Sequence, residues 1–308
     1  MKRFFKNFFQ ENKYKIFSFS FWRIVAFLQV LFWPYAFSKV VNILTQDPSN
    51  WQEAVFWAGL MILNNIVDDF VRLRAKFGLE KIGTKLKISL ATFFSEKTAI
   101  REGKKTGEAV QAIKKASEAI ESIVNFYKDD ILQLPVNLVI IPLVLWQADI
   151  SYLILLTFYG FLYLAVEYFA VRIYKRELKK YFCAAEIFWG TTYRQTPDFW
   201  RQREDGKVFA QRIEREGEEL YKATTTAQNI NSWRWAILQS LSSASLGAAV
   251  LLVIYRIINN SAPVGDLVLV SAYFTKTQET LNIITSAITK IMQTQISLKR
   301  LNEAVKVK

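Results

Sequence analysis

A chain of 308 residues that is 52% hydrophobic, carries 24 Phe and 9 Trp, and has a mean hydropathy of +0.12 is too apolar for an average soluble protein and reads as a membrane protein. It contains no histidine and one cysteine, Cys183, which excludes Ser/His/Asp and Cys/His triads, Cys/His zinc fingers and any intrachain disulfide. A formal charge of +13 fits nucleic acid, a membrane surface or an anionic partner, and the placement of the 40 Lys and Arg decides between them.

Residues 1–15, MKRFFKNFFQENKYK, set Phe4, Phe5, Phe8 and Phe9 at i, i+1, i+4 and i+5 among basic residues, which predicts an amphipathic helix lying in the membrane interface. Residues 16–308 then form one polytopic, all-α unit. Its apolar runs predict six transmembrane helices near 16–44, 52–75, 127–146, 150–172, 233–258 and 266–290, since about 20 helical residues cross roughly 30 Å of hydrocarbon. The run from Ile16 to Leu44 is too long for the core of a signal peptide and is read as a retained crossing. By hydropathy the last two helices look weakest. The fifth carries SSASLGAA, whose Ser243 and Gly247 suit close helix packing, and the sixth, LVLVSAYFTKTQETLNIITSAI, is the most polar.

Residues 45–50, 147–151 and 259–266, which join alternate crossings, contain no Lys or Arg. Five Lys and Arg lie in 1–22, twelve in 72–117, thirteen in 172–234 and five in 280–308, so the basic blocks share one side of the bilayer with both termini. That is the positive-inside pattern of a six-helix protein, and it accounts for the charge without nucleic acid. The loops on the basic side, 76–117 and 173–232, are several times longer than the others. Stretches 79–100 and 208–229 lack proline and place Leu86, Ile88, Leu90, Phe93, Phe94, Phe209, Ile213, Leu220 and Tyr221 among charges at helical spacings, so they read as water-exposed continuations of the membrane helices. Breakers at REGKKTGE, 101–108, and TPDFWRQREDG, 196–206, predict the turns.

Ionisable and polar residues at membrane depth are costly and point to partners or to function. Asp68 and Arg72 are spaced for a local i, i+4 pair, and Arg23 and Glu167 lie at matching depth for a pair between helices 1 and 4. Asn64 and Asn65 near the middle of helix 2 suit interhelical hydrogen bonding or cavity lining equally. On helix 6, Thr275, Glu279, Asn282 and Ser286 form one polar stripe, with Lys276 in reach of Glu279; the stripe is expected to face a central cavity, a seam between helices being the other reading. GLEKIGTK, 78–85, has the glycine spacing of a phosphate-binding loop but the wrong order after the second glycine and no preceding strand, so it reads as helix. No catalytic constellation or metal ligand set assembles, and no enzyme activity is expected of this chain.

In its order of parts, the chain resembles the transmembrane domain of ABC-type exporters. The resemblance is carried by Thr106-Gly107-Glu108 in the first long loop, by Pro263-Val264-Gly265-Asp266-Leu267 at the entry to helix 6, and by SLKRLNEAV, 297–305, at the end of that helix. It implies a membrane-spanning subunit of an ATP-driven exporter, paired with a second such subunit as a homo- or heterodimer in a bacterial plasma membrane, with both termini cytosolic. It also implies a partner nucleotide-binding domain that carries the ATP and magnesium, supplied by a separate subunit or by a longer form of this chain, and no cofactor in the chain itself. The loop tips, Lys104, Lys105, Thr106, Gly107 and Glu108, then Pro197, Asp198, Phe199, Trp200 and Arg201, are where that domain is expected to dock. Asn64, Asn65, Thr275, Lys276, Glu279, Asn282 and Ser286 are expected at the substrate cavity. The alternative function is a non-transporting membrane scaffold or receptor-like protein on the same fold.

Overall fold

A computed structural model describes residues 2–98, 117–118, 120–194 and 206–306, and every long element among them is helical. The helices are α1 (Lys2–Gln46), α2 (Trp51–Thr98), α3 (Gln133–Ala148), α4 (Ile150–Arg194), α5 (Gly206–Ile258) and α6 (Gly265–Lys306). A 3₁₀ turn, Pro48–Asn50, joins α1 to α2, and a π-helical turn, Tyr127–Ile131, leads into α3. Five helical stretches are long and apolar enough to cross a membrane: Phe4–Gln46, Pro48–Phe93, Ile120–Ala148, Ile150–Ala185 and Ala210–Ile258. The stretch within α5 is the most apolar of them, against the expectation that the fifth helix is weak, because AILQSLSSASLGAAVLLVIYRII dilutes its serines with valine, leucine and isoleucine. The sixth helix is long enough but too polar to meet the same criterion, in line with its sequence.

The three lysine- and arginine-free connections are tight turns. Asp47 and the 3₁₀ turn reverse the chain after α1, Asp149 alone separates α3 from α4, and residues 259–264 join α5 to α6 with Asn260 in the left-handed region at φ 54°. At Asp149 the carboxylate accepts hydrogen bonds from the Ser151 backbone N–H, at 2.8 Å, and from the Ser151 hydroxyl, and it pairs with Arg256. Burial alone would raise its pKa; the Ser151 and Arg256 contacts outweigh burial and hold it below the ordinary carboxylate range.

From those turns α1, α2, α4, α5 and α6 run 42–53 residues, or roughly 60–80 Å at 1.5 Å per residue, about twice the hydrocarbon thickness. The far part of α2 needs its own core to stay ordered in water. It has one: Phe8, Leu86, Leu90 and Ile120 are buried together, with Phe4, Phe5, Ile82, Phe93 and Val124 packed on them. Leu86 lies about 50 Å along α2 from Trp51, beyond a membrane core. Residues 1–15, expected as a separate interfacial helix, are the first turns of the unbroken α1; Phe4, Phe5 and Phe8 pack in this cluster, while Phe9 is half exposed. An apolar helix face is the same in sequence whether lipid or a neighbouring helix covers it.

GLEKIGTK is uninterrupted helix, as expected. Its glycines are there for space: a Cβ at Gly78 would lie 2.5 Å from the Phe19 ring, and one at Gly83 would lie 2.6 Å from Val124 Cγ1. The Ser243–Gly247 face, by contrast, is open, with Ser243 exposed and nothing within 4 Å of a Cβ at Gly247. The packed serine is its neighbour Ser242, buried and 2.7 Å from the Tyr159 hydroxyl.

Two compact units are distinguished, residues 1–155 with 246–308, and residues 156–245. In the first, α1 packs on α2, α3 and α6, and α3 packs on α6. The second consists of α4 from Leu156 onward with α5 as far as Ser245, and it holds a buried ion pair between Glu167 and Arg234.

Candidate substrate groove and its charged surroundings

Within the first unit, α1, α2 and α6 enclose a groove of about 790 Å³ lined by Val30, Trp33 and Pro34 from α1, Asn65 and Asp68 from α2, and Leu267, Val268, Ser271, Ala272, Thr275 and Lys276 from α6. Its walls are apolar and its polar atoms few, the ordinary make-up of a small-molecule site. Each lining position follows from helical spacing: Asn65 and Asp68 are i, i+3, Leu267, Ser271 and Thr275 are i, i+4, i+8, and Val30 and Pro34 are one turn apart.

The polar residues singled out in the sequence are thereby sorted. Asn65, Thr275 and Lys276 line the groove. Asn64 instead donates its side-chain N–H to the Gln29 carbonyl at 2.9 Å and ties α2 to α1. Glu279 lies outside the lining, half exposed, and takes the Lys276 ammonium at 2.7 Å. Asn282 and Ser286 are half-buried and are not part of the groove. Elsewhere on α6 a buried contact is made at Thr280, whose Oγ1 accepts from Asn137 Nδ2 of α3 at 2.7 Å. Lys104, Lys105, Thr106, Gly107, Glu108, Pro197, Asp198, Phe199, Trp200 and Arg201 lie outside the described residues.

Five basic residues, Arg23, Lys39, Lys128, Arg256 and Lys276, fall outside the four basic blocks of the sequence, and each has a specific neighbour. Arg23 donates from Nε to the Lys128 carbonyl at 3.1 Å and from Nη2 to Asp129 Oδ1 at 3.4 Å, with its guanidinium over the Phe27 ring. Lys128, only 3% exposed, meets Glu80 Oε1 at 2.6 Å. Arg256 pairs with Asp149, Lys276 with Glu279, and Lys39 lies over the Tyr35 ring.

The π turn accounts for Arg23 and Lys128 together. Its wider winding presents Lys128 to α2, Asp129 to α1 and Asp130 to Lys290 of α6, 3.8 Å away, so one turn ties three helices at the basic end. Arg23 therefore does not pair with Glu167. Glu167 binds Arg234 through both carboxylate oxygens, Nε to Oε2 at 2.8 Å and Nη2 to Oε1, with side chains 2% and 3% exposed. The expected pair of Asp68 with Arg72 is present, Nε to Oδ2 at 3.8 Å, and Arg72 also bonds Asp69.

At the turn end, the Gly265 N–H donates to Asn42 Oδ1 at 2.6 Å and the Tyr152 hydroxyl to Asp266 Oδ2 at 3.4 Å. The Gly265-Asp266 step of the family-like segment thus fastens α6 to α1 and α4.

The model of the ABC transporter transmembrane region matches residues 205–281, most of α5 and the groove-lining part of α6. No match was found among curated proteins. A solved structure, a bacterial Atm1-family ABC exporter with ATP bound, superposes with a TM-score of 0.78 at 13% identity, covering 96% of this chain and 54% of that one. The chain spans about half the length of the exporter it matches. With long apolar helices, that superposition and the family match in α5 and α6, this is an integral membrane protein with the transmembrane fold of an ABC exporter.

Proposed function

We propose that the chain is the membrane-spanning subunit of an ATP-driven exporter: it lines the substrate path, pairs with a second transmembrane subunit, and takes its motion from nucleotide-binding domains gripping the tips at 104–108 and 197–201. The observation that carries the reading is the likeness in fold to an ABC exporter along 96% of the chain. The geometry of the helices supports it, since helices twice as long as the bilayer is thick act as levers on the membrane part. ATP and magnesium belong to the partner domain. The α1–α2–α6 groove is read as part of the substrate path, and both termini are assigned to the cytosol of a bacterium, the cytosolic side being supported by the basic blocks.

Orientation is tested with the lone thiol. Cys183 is exposed on α4 about 50 Å from Ile150, hence some 20 Å past a 30 Å core. A membrane-impermeant maleimide should label it in inverted vesicles and leave it unlabelled in intact cells; labelling from outside intact cells contradicts the assignment.

Docking is tested at the second tip. Phe199→Ala with Trp200→Ala should leave membrane insertion intact and abolish both binding of the ATPase domain and substrate-stimulated hydrolysis, because aromatic anchors in pockets carry most of an interface's energy. Full hydrolytic coupling in a normally inserted double mutant would move the docking site elsewhere.

A further inference from the structure

We propose that the α1–α2 seam at Phe19 and Gly78 binds the headgroup of an anionic phospholipid, with Lys15 and Lys81 as the residues that select it. The site is separate from the groove, and it requires only that the chain spans a membrane.

The Phe19 ring packs directly on Gly78, where a Cβ would lie 2.5 Å from it, so these two positions fix the register of two antiparallel helices. Each is about 40 Å along its helix from the Pro48–Asn50 turn, and a bilayer with both headgroup layers is about 40–45 Å thick. The contact therefore sits at the level of the headgroups on the basic side.

One helical turn to either side of the contact stand Lys15 and Trp22 on α1, and Arg74 and Lys81 on α2, all four exposed. Because the helices run in opposite directions, Lys15 and Lys81 share the side away from the membrane, and Trp22 and Arg74 the side toward it. Two ammonium groups side by side repel unless an anion lies between them. The chain supplies none: among the described residues, Lys15, Arg74 and Lys81 have no carboxylate within 4.0 Å. Glu80, next to Lys81, is taken by Lys128 at 2.6 Å, and Glu11, one turn from Lys15, is outside pairing distance. Cations farther from the membrane find carboxylates within the chain, Lys87 with Glu121 at 2.6 Å, Lys180 with Glu177 at 2.8 Å and Arg212 with Glu216 at 3.1 Å. Unpaired cations at headgroup depth call for a phosphate from outside the chain. Toward the membrane, Trp22 is half exposed and Phe70, one turn beyond Arg74, is 74% exposed. They offer acyl chains an apolar surface that a free anion has no use for, and the Trp22 indole N–H adds a donor at the interface.

Ser18, exposed and lying between Lys15 and Trp22 on α1, is the reporter position. In the Cys183→Ser background, Ser18→Cys carries a bimane fluorophore, and the full chain is reconstituted in phosphatidylcholine vesicles. Phosphatidylglycerol with a nitroxide near its headgroup should quench the label at about one tenth or less of the mole fraction that nitroxide-labelled phosphatidylcholine needs, since each basic residue near an anionic lipid contributes a factor of about five. Lys15→Gln with Lys81→Gln should remove that preference, and Lys15→Arg with Lys81→Arg should keep it. Arg172→Gln with Lys175→Gln, an equal loss of charge about 35 Å along α4 from Ile150, should leave it unchanged, which separates a site from general enrichment of anionic lipid at a basic surface. Millimolar inorganic phosphate at constant ionic strength should not relieve the quenching. Equal quenching by the two lipids, a preference that survives the Lys→Gln pair, or an equal loss in the α4 pair overturns the proposal. Relief by inorganic phosphate also overturns it, in favour of a soluble-anion site.

Discussion

Replacing Arg234 by Ala with Glu167 left in place should destabilise the protein by about 3–5 kcal/mol, since it strands a carboxylate in a site from which water is excluded. The guanidinium binds both oxygens of Glu167, also bonds Asn231 Oδ1 at 3.3 Å, and is flanked by the Tyr174 and Trp235 rings, so no other cation substitutes for it. Replacing both members together, Arg234→Met with Glu167→Leu, should recover most of the loss, because two apolar groups of similar volume pay no desolvation. Thermal midpoints in one detergent, with reversible unfolding in mixed micelles, separate the cases. A single mutant within about 1 kcal/mol of the parent would mean that Glu167 reaches water.

Gly265→Ala should be the second severe change. A Cβ there would stand 2.3 Å from the Ser38 carbonyl oxygen and 2.5 Å from Asn42 Oδ1. The Ser38 contact is backbone and cannot rotate away, so α1 and α6 must separate, breaking the hydrogen bond from Gly265 N–H to Asn42. Overpacking of this kind costs about 1–3 kcal/mol, and a rigid obstacle places the change at the upper end or beyond. Gly247→Ala is the control. Nothing lies within 4 Å of its Cβ, so the same substitution in mid-helix should stabilise by about 0.5–1 kcal/mol. Equal effects at the two positions would show that α6 does not approach α1 as described.

These two sites mark where sequence reasoning succeeds and where it stops. Helix number, the loop-free turns and the long charged continuations were legible because hydrocarbon thickness and the asymmetry of Lys and Arg act directly on composition. Which way a side chain points around its helix is not legible: Glu167 was matched with Arg23 by depth alone, whereas its partner is Arg234. The π turn at 127–131 gives Arg23 a carboxylate and a carbonyl of its own, and nothing in YKDDI announces a π turn. How far a groove extends along a helix is not legible either. The residues at i, i+4, i+7 and i+11 keep to one face, but the groove is short: Thr275 lines it, while Asn282 and Ser286 lie roughly 10 and 16 Å farther along the helix.

The central claim is that this membrane fold is driven by a nucleotide-binding domain. The measurement that reaches it most directly is ATP hydrolysis by the protein purified from its native membranes in mild detergent, compared with the Phe199→Ala, Trp200→Ala double mutant purified in the same way. The account predicts an ATPase domain in stoichiometric amount and hydrolysis with the parent, and loss of coupling in the double mutant. A well-folded parent protein that carries no ATPase domain and hydrolyses no ATP contradicts it.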